Sequence, residues 1–300
     1  MASQPELDDE RAADIKPPMS YSDYLHLEKI LDAQEPLSTA RDELLFIIQH
    51  QTSELWMKLA ITEIRSARAA IAEDRLRPAF KMLTRVARIF EQLNSAWDVL
   101  RTMTPSEYST FRDALGQSSG FQSWQYRSIE FLAGNRNLAM LKPHADLPEI
   151  TAHLEEILAE PSLYDEALRL LARNGFDIGP DAQRTGWREK REANDQVQAA
   201  WKAVYARPDE HWALYELAEK LIDFEDYFRR WRFNHVTTVE RIIGLKRGTG
   251  AHPAFPTCAR CWMWNYSPSS GGSERTCNRA RVTKPQLAAS MTRERLGDYA

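Results

Sequence analysis

The sequence predicts an all-α fold, a helical bundle, on three observations. Apolar residues recur at three- and four-residue spacing, and no segment alternates cleanly at period two. One such stripe, Leu214, Leu217, Leu221, Phe224, Phe228, Trp231, His235, Val239 and Ile242, apolar but for the histidine, runs along a single long helix in steps of three or four. The run Thr104-Pro105-Ser106-Glu107 is a helix start: Thr caps, Pro suits the first turn, and Glu closes a capping box. A stripe as long as the first must be covered by several neighbouring helices, which points to one bundle.

Taken in order, the spacing predicts helices over Asp42–Glu73, Arg77–Met103, Pro105–Leu115 and Phe121–Leu132. Further helices are expected over Pro148–Leu158, Leu163–Arg173, Lys190–Ala206 and from Asp209 to about Leu245. Phe176–Trp187 contains Gly179-Pro180 and reads as a loop. Residues 1–18 are polar, acidic and closed by Pro17-Pro18, the composition of a disordered segment. No internal repeat is visible.

A length of 300 residues allows one large domain with a sizeable core. The net charge of −4 argues against binding nucleic acid by charge. No apolar run approaches the roughly 18 residues of a membrane span, and the acidic start has no hydrophobic signal region. Neither nucleic acid nor membrane is therefore an expected partner. The body to Gly250 has no cysteine, so a reducing cytoplasm is the expected location. Cys258, Cys261 and Cys277 all lie beyond it, and six of the twelve glycines lie from Gly244 onward.

Two histidines sit where chemistry could use them. His235 interrupts an otherwise apolar stripe: it is either a core histidine bonded to a neighbour or a metal ligand, and an apolar, helix-lined surround suits a haem face. His50 follows Phe46 by one turn, so the two share a face. A di-iron bundle would need Glu-x-x-His pairs, and none of the histidines has a glutamate three residues earlier. Tyr108 and Arg112 lie at i and i+4, either a solvated pair or a guanidinium fork for a carboxylate. The polar turn Ser118–Ser123 leads into Trp124 and Tyr126; with Arg112 these suit a zwitterionic aromatic metabolite. Lys246-Arg247-Gly248-Thr249-Gly250 lacks the phosphate-loop pattern and follows its helix, so Gly248 also reads as a helix C-cap.

Four long stretches carry a resemblance. They are MSYSDYLHLEKILDAQEPLS, DELLFIIQHQTSELWMKL, MTPSEYSTFRDALGQSSGFQS and WRFNHVTTVERIIGLKRGTG, spread over most of residues 19–250. Together they make this domain resemble the tryptophan 2,3-dioxygenase family. The resemblance implies an all-α homotetramer, a dimer of dimers, with haem b in each subunit. It implies an oxidoreductase that inserts both atoms of O₂ across the indole C2–C3 bond of L-tryptophan to give N-formyl-L-kynurenine, opening the kynurenine pathway. Position by position, His235 matches the proximal iron ligand and His50 the distal histidine. Phe46 matches the aromatic that packs on the indole, within the substrate-side run Phe46, Ile47, Ile48, Gln49 and His50. Arg112 matches the carboxylate-binding arginine, with Tyr108 and Phe111 beside it. Thr249 matches the residue holding the substrate ammonium and carboxylate, and Ser119 a serine near the distal side. Tyr21, Tyr24 and Leu25 match N-terminal residues that enter a neighbouring subunit's pocket.

After Gly250 the chain departs from that pattern. Cys258-Ala-Arg-Cys261 with Cys277 could be read as a partial zinc site, but no fourth ligand is evident. A frameshift accounts for more: codons can be chosen for Gly250–Asn278 so that a shifted frame reads GTPGVSYLRKMLDVELFPELWRVRTDL and then stops. That recovers the family's glycine-containing loop and its Phe-Pro-Glu-Leu-Trp ending, and sequencing through codon 250 tests it. On this reading residues 251–300 are an atypical, disordered tail. The alternative function is then a haem-binding helical protein with impaired or no turnover. A third reading is a related indole-directed dioxygenase with a different substrate.

Overall fold

In a computed structural model, residues 19–191 and 194–243 are described, and no β-strand occurs among them. The α-helices in chain order are α1 (Tyr21–Leu25), α2 (Leu27–Leu31), α3 (Arg41–Ala72), α4 (Leu76–Leu100) and α5 (Pro105–Phe111). They continue with α6 (Trp124–Ala133), α7 (Pro148–Ala159), α8 (Leu163–Arg173), α9 (Asp195–Ala206) and α10 (Trp212–Ile243). The all-α expectation is met. The expectations for residues 1–18, for Gly248 and Thr249, and for the tail beyond Gly250 fall outside the described residues.

Three long helices form the frame. α3 and α4 are a hairpin closed at Glu73–Arg75, where Asp74 takes a left-handed φ of 58° and the Arg75 N–H donates to the Ala70 carbonyl at 2.8 Å. α10 packs along α4 in the same direction: Phe90 meets Phe224 and Phe228, Trp97 meets Trp231 and His235, and Arg101 meets Thr238. A parallel pair needs a long return connection, and α5 to α9 supply it while packing α6 and α8 onto α3. Leu83, Phe90 and Leu93 of α4, Ile64 and Ile71 of α3, and Leu217 of α10 are wholly buried between these layers. Burial of such side chains contributes about 1.5–3 kcal/mol each.

The capping box at Thr104 forms as expected: the Glu107 carboxylate accepts from the Thr104 N–H at 2.7 Å and Thr104 Oγ1 accepts from the Glu107 N–H at 3.3 Å. Other boundaries move for local reasons. The helix beginning at Pro105 is α-helical only to Phe111, and Arg112–Leu115 continue as a 3-10 turn ended by Gly116 with φ 56°. Gly120–Gln122 is a separate 3-10 turn capped by Ser119, so α6 starts at Trp124 rather than Phe121. α9 starts at Asp195 rather than Lys190, because the Asn194 side chain caps it and Arg191 turns inward to bridge Asp165 and Asp181. The loop expected over Phe176–Trp187 contains one 3-10 turn, Gly179–Gln183. α1, α2 and the 3-10 segment Leu138–His144 carry no long periodic stripe and were not legible.

Candidate functional site

α3, α4, α6 and α10 converge on an open pocket with a cavity volume of about 100 Å³. His50 and Gln49 of α3 and His235 of α10 line it together with Trp97, Trp231, Phe121 and Tyr126. The two histidines singled out by sequence therefore share one cavity.

His235 is held among rings. Trp231, one turn earlier, stacks on it at 5.7 Å between centroids and 15° between planes; Trp97 lies at 5.4 Å and Phe121 at 6.5 Å. Burial, followed by the positive surroundings of His50, Arg127 and Arg232, pushes its pKa down to about 4. At neutral pH it is a neutral imidazole, the form that binds metals.

His50 is also held below the usual histidine range, by burial that outweighs its hydrogen bond to Phe46 and the Glu54 charge. Its Nδ1 lies 2.7 Å from the Phe46 carbonyl oxygen. A carbonyl can only accept, so Nδ1 carries the proton and Nε2 of the neutral ring is an acceptor. Phe46 packs on that imidazole at 4.2 Å, and on Tyr108 and Phe111 at 6.0 and 5.7 Å. The structure thus brings Phe46, His50, Tyr108 and Phe111 into one aromatic group. Burial holds the Tyr108 phenol above its ordinary range, and Arg112, beside its hydroxyl, offsets only part of that rise. The Arg112 Nε is buried without a hydrogen-bond partner, a donor left for a ligand.

Other expected residues sit differently. Gln49 is buried in the pocket wall, Ile47 is half-buried, and Ile48 is 45% exposed on the outer side of α3. Ser119 is committed to its turn: its Oγ accepts from the Phe121 N–H at 3.4 Å, while the next two residues line the pocket. Tyr21 and Tyr24 are 76% and 71% exposed on α1, Leu25 is half-buried, and none of the three lines the pocket. Thr249 lies outside the described residues.

Several residues in or beside the pocket were missed by sequence reasoning. Arg127 and Glu130 form a buried ion pair on α6, and Arg232 approaches the same carboxylate at 3.7 Å. Arg127 also lies over the Tyr126 ring at 4.9 Å. Their i, i+3 spacing was a weak signal, because such a pair is ordinarily a solvated helix face. Trp97 had no signal on its own helix beyond being apolar.

These residues suit a planar iron macrocycle. Among the described residues no group of three or more His, Cys, Asp or Glu could hold a bare metal ion, so His235 offers one axial ligand rather than a coordination shell. The flat cavity walls are aromatic, and the buried Trp97 and Trp231 indole N–H groups have no partner. Arg127 and Arg232 line the cavity too and share the one Glu130 carboxylate, leaving a net positive charge that suits peripheral carboxylates. No described helix is long and apolar enough to cross a membrane.

Comparison with known proteins agrees with this geometry. The family model described as Tryptophan 2,3-dioxygenase matches residues 6–201 and 181–255. The chain is 77% identical over 232 residues to a tryptophan 2,3-dioxygenase of Bradyrhizobium sp. strain ORS 278, covering 77% of this chain and 83% of the relative. It is 67% identical over the same length to that of Bradyrhizobium diazoefficiens, with the same coverage. With that of Burkholderia pseudomallei strain K96243 it shares 60% over 243 residues, covering 81% and 79%. The pocket's lining and ligand chemistry suit a haem-dependent family, and by the family model and these relatives the chain belongs to the tryptophan 2,3-dioxygenase family.

Proposed function

We propose that this chain binds one haem b per subunit and catalyses insertion of both atoms of O₂ across the indole C2–C3 bond of L-tryptophan, giving N-formyl-L-kynurenine. The observation that carries the reading is the pairing of two neutral imidazoles, His50 and His235, in one aromatic-lined pocket. His235 would be the axial ligand, and the haem, when bound, supplies the oxygen chemistry. The remaining work belongs to the protein. Phe46, Tyr108 and Phe111, packed behind His50 rather than on the pocket surface, would supply an apolar wall for the indole ring. His50 Nε2 accepts from the indole N–H, and because the ring is neutral it orients the substrate without first losing a proton. Arg112 takes the carboxylate; its buried Nε has no partner, and its side chain is hydrogen-bonded to Tyr108. Held at both ends, the substrate presents one bond to the oxygen side, an orientation effect that lowers the entropic part of the barrier. Gln49, Ile47, Ser119 and Thr249 complete the substrate surroundings on this reading, whereas Ile48, on the outer side of α3, does not.

The active unit is a cytoplasmic homotetramer, a dimer of dimers, in which Tyr21, Tyr24 and Leu25 complete a neighbour's pocket. Support comes from the exposed aromatics on α1 and from Leu44, Ile48, Leu55 and Leu59, an exposed apolar row along α3. The domain is residues 19–250, and the departure after Gly250 is the point at which turnover and assembly are most exposed to change.

The test is O₂-dependent formation of N-formylkynurenine by the purified, haem-loaded chain, with tryptamine as the comparison substrate. Turnover of L-tryptophan and not of tryptamine is expected, since tryptamine has no carboxylate for Arg112. Haem uptake without turnover of either would overturn the enzyme reading in favour of a haem-binding protein. Equal turnover of both would remove Arg112 from its role.

A further inference from the structure

Arg101 caps the C-terminal end of α4 and reaches across to α10, where one turn of helix surrounds its guanidinium. Nε donates to Thr238 Oγ1 at 2.8 Å. Nη2 donates to the Asn234 carbonyl oxygen at 3.2 Å, to Asn234 Oδ1 at 3.0 Å and to Thr237 Oγ1 at 2.9 Å. Nη1 lies 3.3 Å from Asp98 Oδ1, which holds the arginine to its own helix. The α10 acceptors come from the residues immediately before His235 and two and three places after it. Thr238 is buried, although it falls outside the apolar stripe, because its hydroxyl is committed to this arginine.

A second tie lies one helical repeat below. Asn94 Nδ2 donates to the Phe90 and Tyr227 carbonyl oxygens at 2.7 and 3.0 Å, and Asn234 Nδ2 donates to Asn94 Oδ1 at 2.9 Å. Asn94, Trp97 and Arg101 are spaced i, i+3 and i+7, so one face of α4 carries both ties and, between them, the ring that packs on His235.

Ties of this kind constrain two motions that apolar packing leaves soft. Helices slide and rotate over smooth side chains at small cost, whereas a guanidinium forked over four fixed acceptors has one geometry. The imidazole nitrogens stand well off the α10 axis. A rotation of about 20°, a fifth of the roughly 100° per residue of an α-helix, moves them by about 2 Å. That is comparable to an iron–nitrogen bond, so the axial bond depends on holding α10 in place.

We propose that Arg101 is a positioning residue for the iron ligand: by clamping the Asn234–Thr238 turn it sets the rotation and register with which α10 presents His235 to the haem. The inference rests on the reading of His235 as the axial ligand.

The test compares haem-loaded wild type with Arg101→Met, Arg101→Lys and Thr238→Val. His235→Ala is the ligand control. Arg173→Met serves as the stability control: Arg173 ties α8 to the Ile71 carbonyl and Asp74 in a similar way but lines no part of the pocket. The readouts are the iron–histidine stretching band of the ferrous protein by resonance Raman, the rate of haem transfer to apomyoglobin, and thermal melting. Arg101→Met is expected to shift or broaden the band and to speed haem loss at least fivefold. Thr238→Val, which removes one bond and keeps the side-chain volume, should move both readouts in the same direction by less. Arg101→Lys should recover part of the effect, since a single ammonium cannot serve all four acceptors. Arg173→Met should lower the melting temperature and leave both haem readouts at wild-type values. A wild-type band and haem-loss rate in both Arg101→Met and Thr238→Val overturns the proposal, as does an equal change in Arg173→Met. If the wild type takes up no haem, or His235→Ala keeps the wild-type band, the ligand reading fails and takes this proposal with it. Those two failures are told apart by the wild-type and His235→Ala samples alone.

Discussion

His50 and Phe46 are joined twice, by the 2.7 Å contact of the imidazole Nδ1 with the Phe46 carbonyl oxygen and by their rings at 4.2 Å. One helical turn therefore sets both the tautomer of the histidine and the position of the aromatic that packs on it. This makes His50 Nε2 an acceptor aimed from a rigid element, with Phe46 placed to align a flat substrate. His50→Ala is accordingly expected to lower kcat/KM for L-tryptophan about 10- to 100-fold, the equivalent of one lost buried hydrogen bond and some packing. The loss should be much smaller for 1-methyl-L-tryptophan, which has no indole N–H to donate. Steady-state kinetics with both substrates check this, and an equal loss for the two would remove the hydrogen bond from the account.

Arg112→Ala should raise KM for L-tryptophan steeply while leaving haem content unchanged. The expected effect is about 30- to 1,000-fold, from the roughly 2–4 kcal/mol typical of truncating one partner of a desolvated charge pair. Titration by substrate-induced changes in the haem spectrum reads the affinity directly. An unchanged KM would end the carboxylate assignment.

The Thr104–Glu107 capping box anchors the helix that carries Tyr108 and Phe111. Thr104→Ala should lower stability by about 1 kcal/mol, the usual value of an N-cap. Because the frayed turn lies immediately before two wall residues, KM should rise a few-fold at unchanged haem content. A denaturant titration and kinetics on the same preparation test this. Lost stability with unaltered KM would mean that the wall is held by packing alone.

Acid stability should depend on Asp165. Burial acts to raise its pKa, but the Arg191 ion pair and the hydrogen bonds from Ser162 outweigh it, and the carboxyl sits below the usual carboxylate range. The folded form then binds its proton less readily than the unfolded chain. Its contribution is present in full above the unfolded value, roughly 3.9 for aspartate, and is lost as pH falls through the folded value. Asp165→Asn should lower stability at pH 7 by about 3 kcal/mol, as breaking a buried pair does. It should also flatten the decline in stability below about pH 4 that the wild type shows. Urea titrations across that range measure both, and parallel curves for the two proteins would exclude Asp165 as the titrating group.

The local chemistry of the chain already specified much of this molecule. Period and capping placed α3, α4, α5, α7, α8 and α10 to within a few residues, because those signals are interactions among near neighbours. The Thr104 capping box is one example, and the Leu214–Ile242 stripe is another. The same stripe marked His235 as an anomaly, and the resemblance of four long segments named the chemistry. What remained open was which surfaces face one another. Periodicity tells which side of a helix is apolar and says nothing about which partner covers it. The meeting of His50 with His235, the insertion of Trp97 between α4 and α10, and the burial of Glu130 between Arg127 and Arg232 are all decided by contacts between distant segments. Arg101 shows the difference most plainly. In sequence it is a polar residue at the end of a helix, of the kind that usually faces water. Only the parallel packing of α4 on α10 turns its guanidinium onto the turn that carries His235, because four acceptors converge there after the backbone has folded.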